Sequence, residues 1–271
     1  MSASGDRRSI LAVDHRMLHG AAVVTPRGRL DVGTYARLRD ALLKCAAEAP
    51  EALIVELGHL DVDRTSALSL FPTIWMRISA WPGIPLFLTA PHPELAERLR
   101  TNAVPRFVSC YPSTAAALAA FGRPPPRRRA EIELPNSPSS ARTARVWVAA
   151  QLVEFGVSGC CDVAVQVASE LVGNVAQHTR SECRLRLELH PAGLSVAVSD
   201  DDGRSAVVAP FTTPLSRGRG LAVVEALARA WGQTPRFGGG KVVWAVLAVP
   251  GGPAGPLDPG PAAAGSFPQR T

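Results

Sequence analysis

The chain has 271 residues, of which 46% are hydrophobic and 19% charged, with a formal net charge of +6. That length accommodates two domains of ordinary size, and that balance excludes a disordered polymer. No apolar run reaches the roughly 18 residues of a membrane span, and the start MSASGDRRSILAVDHRM lacks the apolar core of a secretory signal, so a cytoplasmic protein with no membrane partner is expected. Five cysteines at irregular spacing, Cys45, Cys110, Cys160, Cys161 and Cys183, suit reduced thiols better than a disulfide framework. Adjacent Cys160 and Cys161 lack the second Cys/His pair that zinc requires. Arg123, Arg127, Arg128 and Arg129 lie in one run punctuated by Pro124, Pro125 and Pro126; setting those four charges aside, +6 becomes +2. With no aromatic residues interleaved, this is a stiff connector and not a base-stacking groove, so no direct nucleic-acid partner is expected.

Taken in chain order, residues 20–28 (GAAVVTPRG) read as a strand and residues 34–49 as an amphipathic helix. ALIVEL at 52–57 is a short apolar strand, 66–80 a helical segment bent by Pro72, and 84–90 another strand. A helix over 93–100, a strand over 106–110 and a helix over 113–121 continue the alternation. Such alternation predicts an α/β domain with a mostly parallel sheet, covered by helices on at least one face. Residues 1–122 form this first domain and 123–129 the Pro/Arg linker.

The second domain, 130–250, has another rhythm. A strand over 130–135 precedes two consecutive helices, 139–156 and 160–178, and two alternating strands follow, 183–190 and 193–200, joined by a tight turn at Pro191 and Ala192. A helix over 220–232 and a strand over 241–249 complete a two-layer α/β sandwich. Residues 251–271 are Pro, Gly and Ala with almost no large apolar groups, a composition that cannot bury enough surface to order itself.

Three stretches of this domain carry chemistry. In SELVGNVAQH, Glu170, Asn174 and His178 are spaced four apart and form one polar stripe, while Leu171, Val172, Val175 and Ala176 cover the opposite side. The stripe could hold a metal-bound phosphate or be a solvated face. The strand LSVAVSD ends in Asp200, Asp201 and Asp202; a carboxylate fixed there can accept from an exocyclic amine, although acidic turns are common. SRGRGL places Gly218 and Gly220 just before a helix, with Arg217 and Arg219 nearby, where close backbone approach and unpaired N–H groups suit an anion.

In this order the three resemble the N, G1 and G2 boxes of the GHKL (Bergerat-fold) ATPases. SELVGNVAQH, VSDDD and GRGLAVVEALARAWG are similar to the anti-sigma-factor serine kinase branch over residues 130–249. The resemblance implies ATP and Mg2+ as cofactors. Glu170 would be the catalytic base at the acceptor hydroxyl, Asn174 would ligate magnesium, and Asp200 would bind the adenine amine. Gly218, Arg219 and Gly220 would contact the phosphates, and His178 would orient the helix. One departure stands out: the family's D-x-G-x-G is here Asp200 to Arg204 with the single glycine Gly203, and a lost backbone contact would weaken binding by about 1 to 3 kcal/mol. Asp202 also adds a negative charge near a polyphosphate.

In the first domain, GAAVVTPRGRLDVGTYARLRDAL and ALIVELGHLDVDRTSALSLF resemble the STAS domain of anti-sigma-factor antagonists over residues 18–122. Where that family has D-S-S/T-G-L, this chain has Arg64, Thr65, Ser66, Ala67 and Leu68. Thr65, with Ser66 beside it, is then the candidate phosphoacceptor; the alternative is that these hydroxyls cap the following helix. Together the two resemblances imply a partner-switching regulator whose partners are a sigma factor or STAS antagonists. The alternative is a non-catalytic nucleotide-binding module with a docking STAS domain. A histidine-kinase half fits poorly, because no dimerising hairpin with a phosphoacceptor His precedes the second domain. Related kinases often pair through the ATPase domain, which leaves a homodimer as one option.

Overall fold

Two separate sheets organise the chain. The computed structural model describes residues 11–122, 128–190, 193–204 and 219–250. Two compact units divide the chain, one spanning 11–79 and 84–122 and the other 80–83 together with the described residues from 128 onward.

In the first unit β1 (Leu11–Leu18) and β2 (Ala21–Leu30) are antiparallel, with Leu11 opposite Gly28 and Leu18 opposite Ala21. β3 (Ala52–Glu56), β5 (Leu86–Thr89) and β6 (Ser109–Tyr111) continue in parallel, in the order β1-β2-β3-β5-β6, and the short β4 (Leu60–Val62) pairs with the far end of β2. β1 has no counterpart in the sequence pattern. Residues 14–17 of it are exposed, so apolar alternation stops after Leu11 and Val13, which reach the core, and backbone pairing defines the rest of the strand.

Helices α1 (Val32–Ala47), α2 (Leu70–Ala80) and α3 (Pro93–Thr101) bury Leu38, Leu42, Phe71, Ile74, Ile78 and Leu99 in one core. α4 (Thr114–Phe121) closes the opposite face over Val23, Ile54, Phe87 and Tyr111. Asp31 and Thr34 form a reciprocal capping box that starts α1. The bend expected at Pro72 is absent from the helix interior: Thr65–Ser69 is a separate 3-10 turn and α2 begins at Leu70, so Pro72 falls in the first helical turn, where a missing N–H is harmless. The strand expected over 106–110 shrinks to Ser109–Tyr111, because Val104–Arg106 form a 3-10 turn around Pro105.

The second unit is an antiparallel sheet in the order β10-β11-β9-β8-β7: β7 (Arg128–Leu134), β8 (Cys183–His190), β9 (Gly193–Asp200), β10 (Ala230–Pro235) and β11 (Lys241–Leu247). α5 (Ser140–Glu154), α6 (Cys161–His178) and α7 (Arg219–Leu227) cover one face. Val148, Leu152, Val167, Leu171, Val172, Leu221 and Val224 meet Leu185, Leu187, Val196, Val198 and Ala245 there. Two expectations change. β7 begins at Arg128, so Arg128 and Arg129 of the expected linker are paired in the sheet; residues 123–127, the turn at Pro191 and Ala192, and residues 251–271 lie outside the described residues. The helix expected over 220–232 ends at Leu227, and Ala230–Pro235 become an edge strand. Gly232 lies opposite Trp244, where a Cβ would sit 2.7 Å from the indole, so the glycine serves a cross-strand ring and not a helix.

Glu56, at the end of β3, ties the first sheet together. Its carboxylate accepts from Arg16 Nη2 (2.9 Å) and Thr25 Oγ1 (2.7 Å), and from Thr114 Oγ1 at the start of α4. Burial would raise this carboxyl, but the bonds from Arg16, Thr114 and Thr25 outweigh it and bring it down to about 2 from 4.5. A depressed carboxyl contributes stability above its unfolded value and loses it as pH falls toward the folded one. Glu56→Gln is therefore expected to cost about 1 to 2 kcal/mol in urea unfolding at pH 7. The same substitution should remove part of the stability that the native chain loses between about pH 4.5 and pH 2.

Candidate functional site

Buried Leu171, Val172 and Val175 press α6 onto the sheet and turn the opposite side of its last two turns away from it. Glu170 and Asn174 there are half-buried and face the first turn of α7. A Cβ on Gly220 would lie 2.8 Å from Glu170 Oε2 and 3.2 Å from Asn174 Oδ1. Glu170 Oε1 accepts from Gln166 Nε2 at 2.7 Å. Asn174 Nδ2 is buried without a hydrogen-bond partner among the described residues, a cost that a ligand or water at this spot would relieve. The stripe divides at His178, which is exposed and lines a different cavity; among the described residues its imidazole makes no hydrogen bond.

Asp200 ends β9. Leu194, Val196 and Val198 point into the helix-side core, and the two-residue period sends the Asp200 side chain the same way. Only 2% of the residue is exposed. Its Oδ1 accepts from the Asp202 backbone N–H (2.8 Å) and from Lys241 Nζ (2.9 Å), and Lys241 also donates to the Asp202 carbonyl (2.8 Å). The carboxylate expected to read an amine thus already has a cation. The Asp202 charge expected to oppose a polyphosphate is also matched, because the Arg204 guanidinium beside it holds its carboxyl far below the ordinary range. Arg204 in turn donates to the His178 carbonyl at 2.8 Å, joining the loop after β9 to the end of α6. Between them lies an open cavity of about 560 Å³ lined by His178, Ser181, Asp201, Asp202 and Arg204.

Gly218 lies outside the described residues, and of Arg219 only its place as the first residue of α7 is described. Two residues that the sequence reading passed over complete the site, Gly240 and Lys241. Gly240 has φ of 75°, and a Cβ there would meet Asp200 O at 2.0 Å and Asp201 Cα at 2.7 Å. Close backbone approach requires a residue without a side chain. The signal was present as the run Gly238, Gly239, Gly240 directly before an apolar strand.

A carboxamide and a carboxylate stand side by side, one amide nitrogen has no hydrogen-bond partner among the described residues, and a glycine leaves space against both, the features that a magnesium-bound nucleotide would need. No three His, Cys, Asp or Glu residues among those described gather as a metal site of their own.

In the first unit, Thr65 and Ser66 open the 3-10 turn before α2. The cap position is Arg64, with no side-chain cap bond, so the hydroxyls do not cap the helix. Thr65 is half-buried and Ser66 exposed, and neither hydroxyl is hydrogen-bonded among the described residues. Arg64 is exposed and forms no ion pair among them, whereas Asp63 is held by Arg29. A shallow cavity of about 300 Å³ borders the turn, lined by Asp31, Val32, Tyr35, Arg64, Ser66 and Ala67.

Residues 12–117 match the STAS domain family, and this segment is a STAS domain. Among curated proteins none matches the chain. Among solved structures, an anti-sigma factor antagonist from Mycobacterium paratuberculosis is 19% identical, with a TM-score of 0.35 over 41% of this chain and 93% of that one. The anti-sigma factor antagonist SpoIIAA in its unphosphorylated form is 16% identical, with a TM-score of 0.34 over 41% of this chain and 96% of its own. The RsbU and RsbW domains of a Mycobacterium tuberculosis protein are 20% identical, with a TM-score of 0.33 over 47% of this chain and 33% of that one. No helix among the described residues is long and apolar enough to cross a membrane.

The two glycines should separate cleanly on substitution. Gly240→Ala puts a side chain into backbone at positive φ and should destabilise the chain by at least about 2 kcal/mol in thermal unfolding. Gly220→Ala meets only side-chain ends, those of Glu170 and Asn174, so unfolding should change by less than about 1 kcal/mol while both polar groups are displaced.

Proposed function

We propose that the chain is a cytoplasmic regulator of the partner-switching type, in which the second unit binds ATP with Mg2+ and phosphorylates a Ser or Thr of a STAS domain, controlling the availability of a sigma factor. The acceptor is Thr65 of this chain or a hydroxyl of a separate antagonist. The observation that carries this reading is the placement of Glu170 and Asn174 against the first turn of α7, with Asn174 Nδ2 lacking a partner among the described residues. The STAS domain at 12–117 supports the regulatory half of it.

Each residue then has a defined task. Asn174 would hold magnesium through Oδ1, and the metal would supply charge neutralisation at the phosphates. Glu170, kept in place by Gln166, accepts the proton of the attacking hydroxyl as its oxygen bonds to the γ-phosphorus; the bond from that phosphorus to the β-γ bridging oxygen breaks, and ADP leaves. Gly220 leaves room beside both side chains. On the acceptor side, Thr65 and Ser66 are uncommitted, and Arg64 offers a cation to a new phosphate. A phosphate adds about two negative charges to this surface, enough to make or break a protein contact.

A second reading, a nucleotide-binding docking protein without transfer activity, is favoured by the Lys241 ammonium already on Asp200 and by the single glycine of the β9 loop. Intact-mass measurement after incubation with ATP and magnesium decides between them. The kinase reading expects a gain of one phosphate, lost in Glu170→Ala and Asn174→Ala, and lost also in Thr65→Ala if the transfer is internal. With no internal transfer, phosphate should appear on an added STAS protein. Absence from both, with nucleotide bound, establishes the docking reading.

A further inference from the structure

Lys241 has no task in the transfer step above, yet its ammonium lies at hydrogen-bond distance from the carboxylate that would read the base. β9 and β11 pair so that Lys241 lies directly opposite Asp200. Both fall on the helix side of the sheet, in phase with Val198 on one strand and Val243 on the other. Gly240 brings the two backbones together just before the pair. The side chains are 11% and 1% exposed, and Nζ stands 2.9 Å from Oδ1. An ammonium has three N–H donors; two are used, on Asp200 Oδ1 and on the Asp202 carbonyl. Oδ1 carries both of the bonds that Asp200 accepts, and Oδ2 accepts none among the described residues.

A buried carboxylate without a cation gains much from any amine that reaches it, because its desolvation is otherwise uncompensated. A buried carboxylate with an ammonium at hydrogen-bond distance gains little. The exocyclic amine of adenine is neutral and donates a weaker bond than an ammonium does, so it does not displace Lys241 from Oδ1, and at Oδ2 it meets a carboxylate whose charge is already compensated. We infer that Lys241 is an intrachain counter-ion occupying the base-reading carboxylate, and that the Asp200–Lys241 pair holds down the affinity of the second unit for amine-bearing purine nucleotides. Lys241 is thus a specificity-determining residue, and the native site is attenuated toward ATP by its own sequence. This inference rests on the nucleotide reading of the second unit.

The test is calorimetric titration of the full chain with ATP and magnesium, in the native sequence, Lys241→Thr, Lys241→Gln and the double variant Lys241→Thr/Asp200→Asn. Lys241→Thr is expected to bind ATP about tenfold or more tightly than the native chain. Lys241→Gln keeps a neutral donor for Asp200 and should lie between; it also serves if removing the whole side chain prevents folding, which circular dichroism checks. The double variant should lose the gain. Equal or weaker binding by both Lys241→Thr and Lys241→Gln overturns the inference, and if the native chain binds ATP in that experiment the nucleotide reading survives. Binding by none of the folded forms overturns both.

Discussion

The register between β9 and β11 is the constraint on which the second unit depends. Because side chains alternate across a strand, a slip of one residue would turn Val196 and Val198 out of the helix-side core, and Asp200 and Lys241 with them. The apolar pattern therefore fixes the polar pair without any contribution from the pair itself. Gly240 is the local condition for it, since only a residue lacking Cβ lets the start of β11 pass against Asp200 and Asp201. With that end of the sheet set, Asp202 and Arg204 follow, and Arg204 carries the connection to the last turn of α6.

α6 works under a similar rule. Its apolar side must lie on β8 and β9, and this alone orients Glu170 and Asn174 toward the start of α7. Few polar contacts among the described residues hold that arrangement: Gln166 steadies one carboxylate oxygen, and Asn174 Nδ2 has no partner among them. A buried donor without a partner is a small destabilisation, which Asn174 shares among the described residues with Trp244 Nε1 of the same unit. In the STAS domain the equivalent economy is at Thr65 and Ser66, whose hydroxyls are left out of the capping that Asp31 and Ser113 perform elsewhere in the same unit.

Much of this was legible before any coordinates. The strands over 183–190 and 193–200 and the helix ending at His178 follow from simple periodicity, because Leu185, Leu187, Leu194, Val196 and Val198 alternate along the strands and meet the apolar side of the helix in one core. Segments governed by a partner strand were not legible. β1 is mostly exposed, so its residues reflect solvent and not the sheet; β10 looks helical until Gly232 is seen beneath Trp244. The same distinction applies to the site. Glu170 and Asn174 could be read from spacing along one helix, whereas Lys241 meets Asp200 only through pairing across 41 residues, which no local pattern displays.

The central claim is that the end of α6, the loop after β9 and the first turn of α7 together form a nucleotide site. Backbone hydrogen exchange on the full chain, with and without ATP and magnesium, tests it most directly, since the result reports position as well as binding. The account predicts slowed exchange at residues 170–178, 200–204 and 219–224, with the STAS domain core unchanged. No slowing anywhere, or slowing confined to segments outside those three, would contradict it.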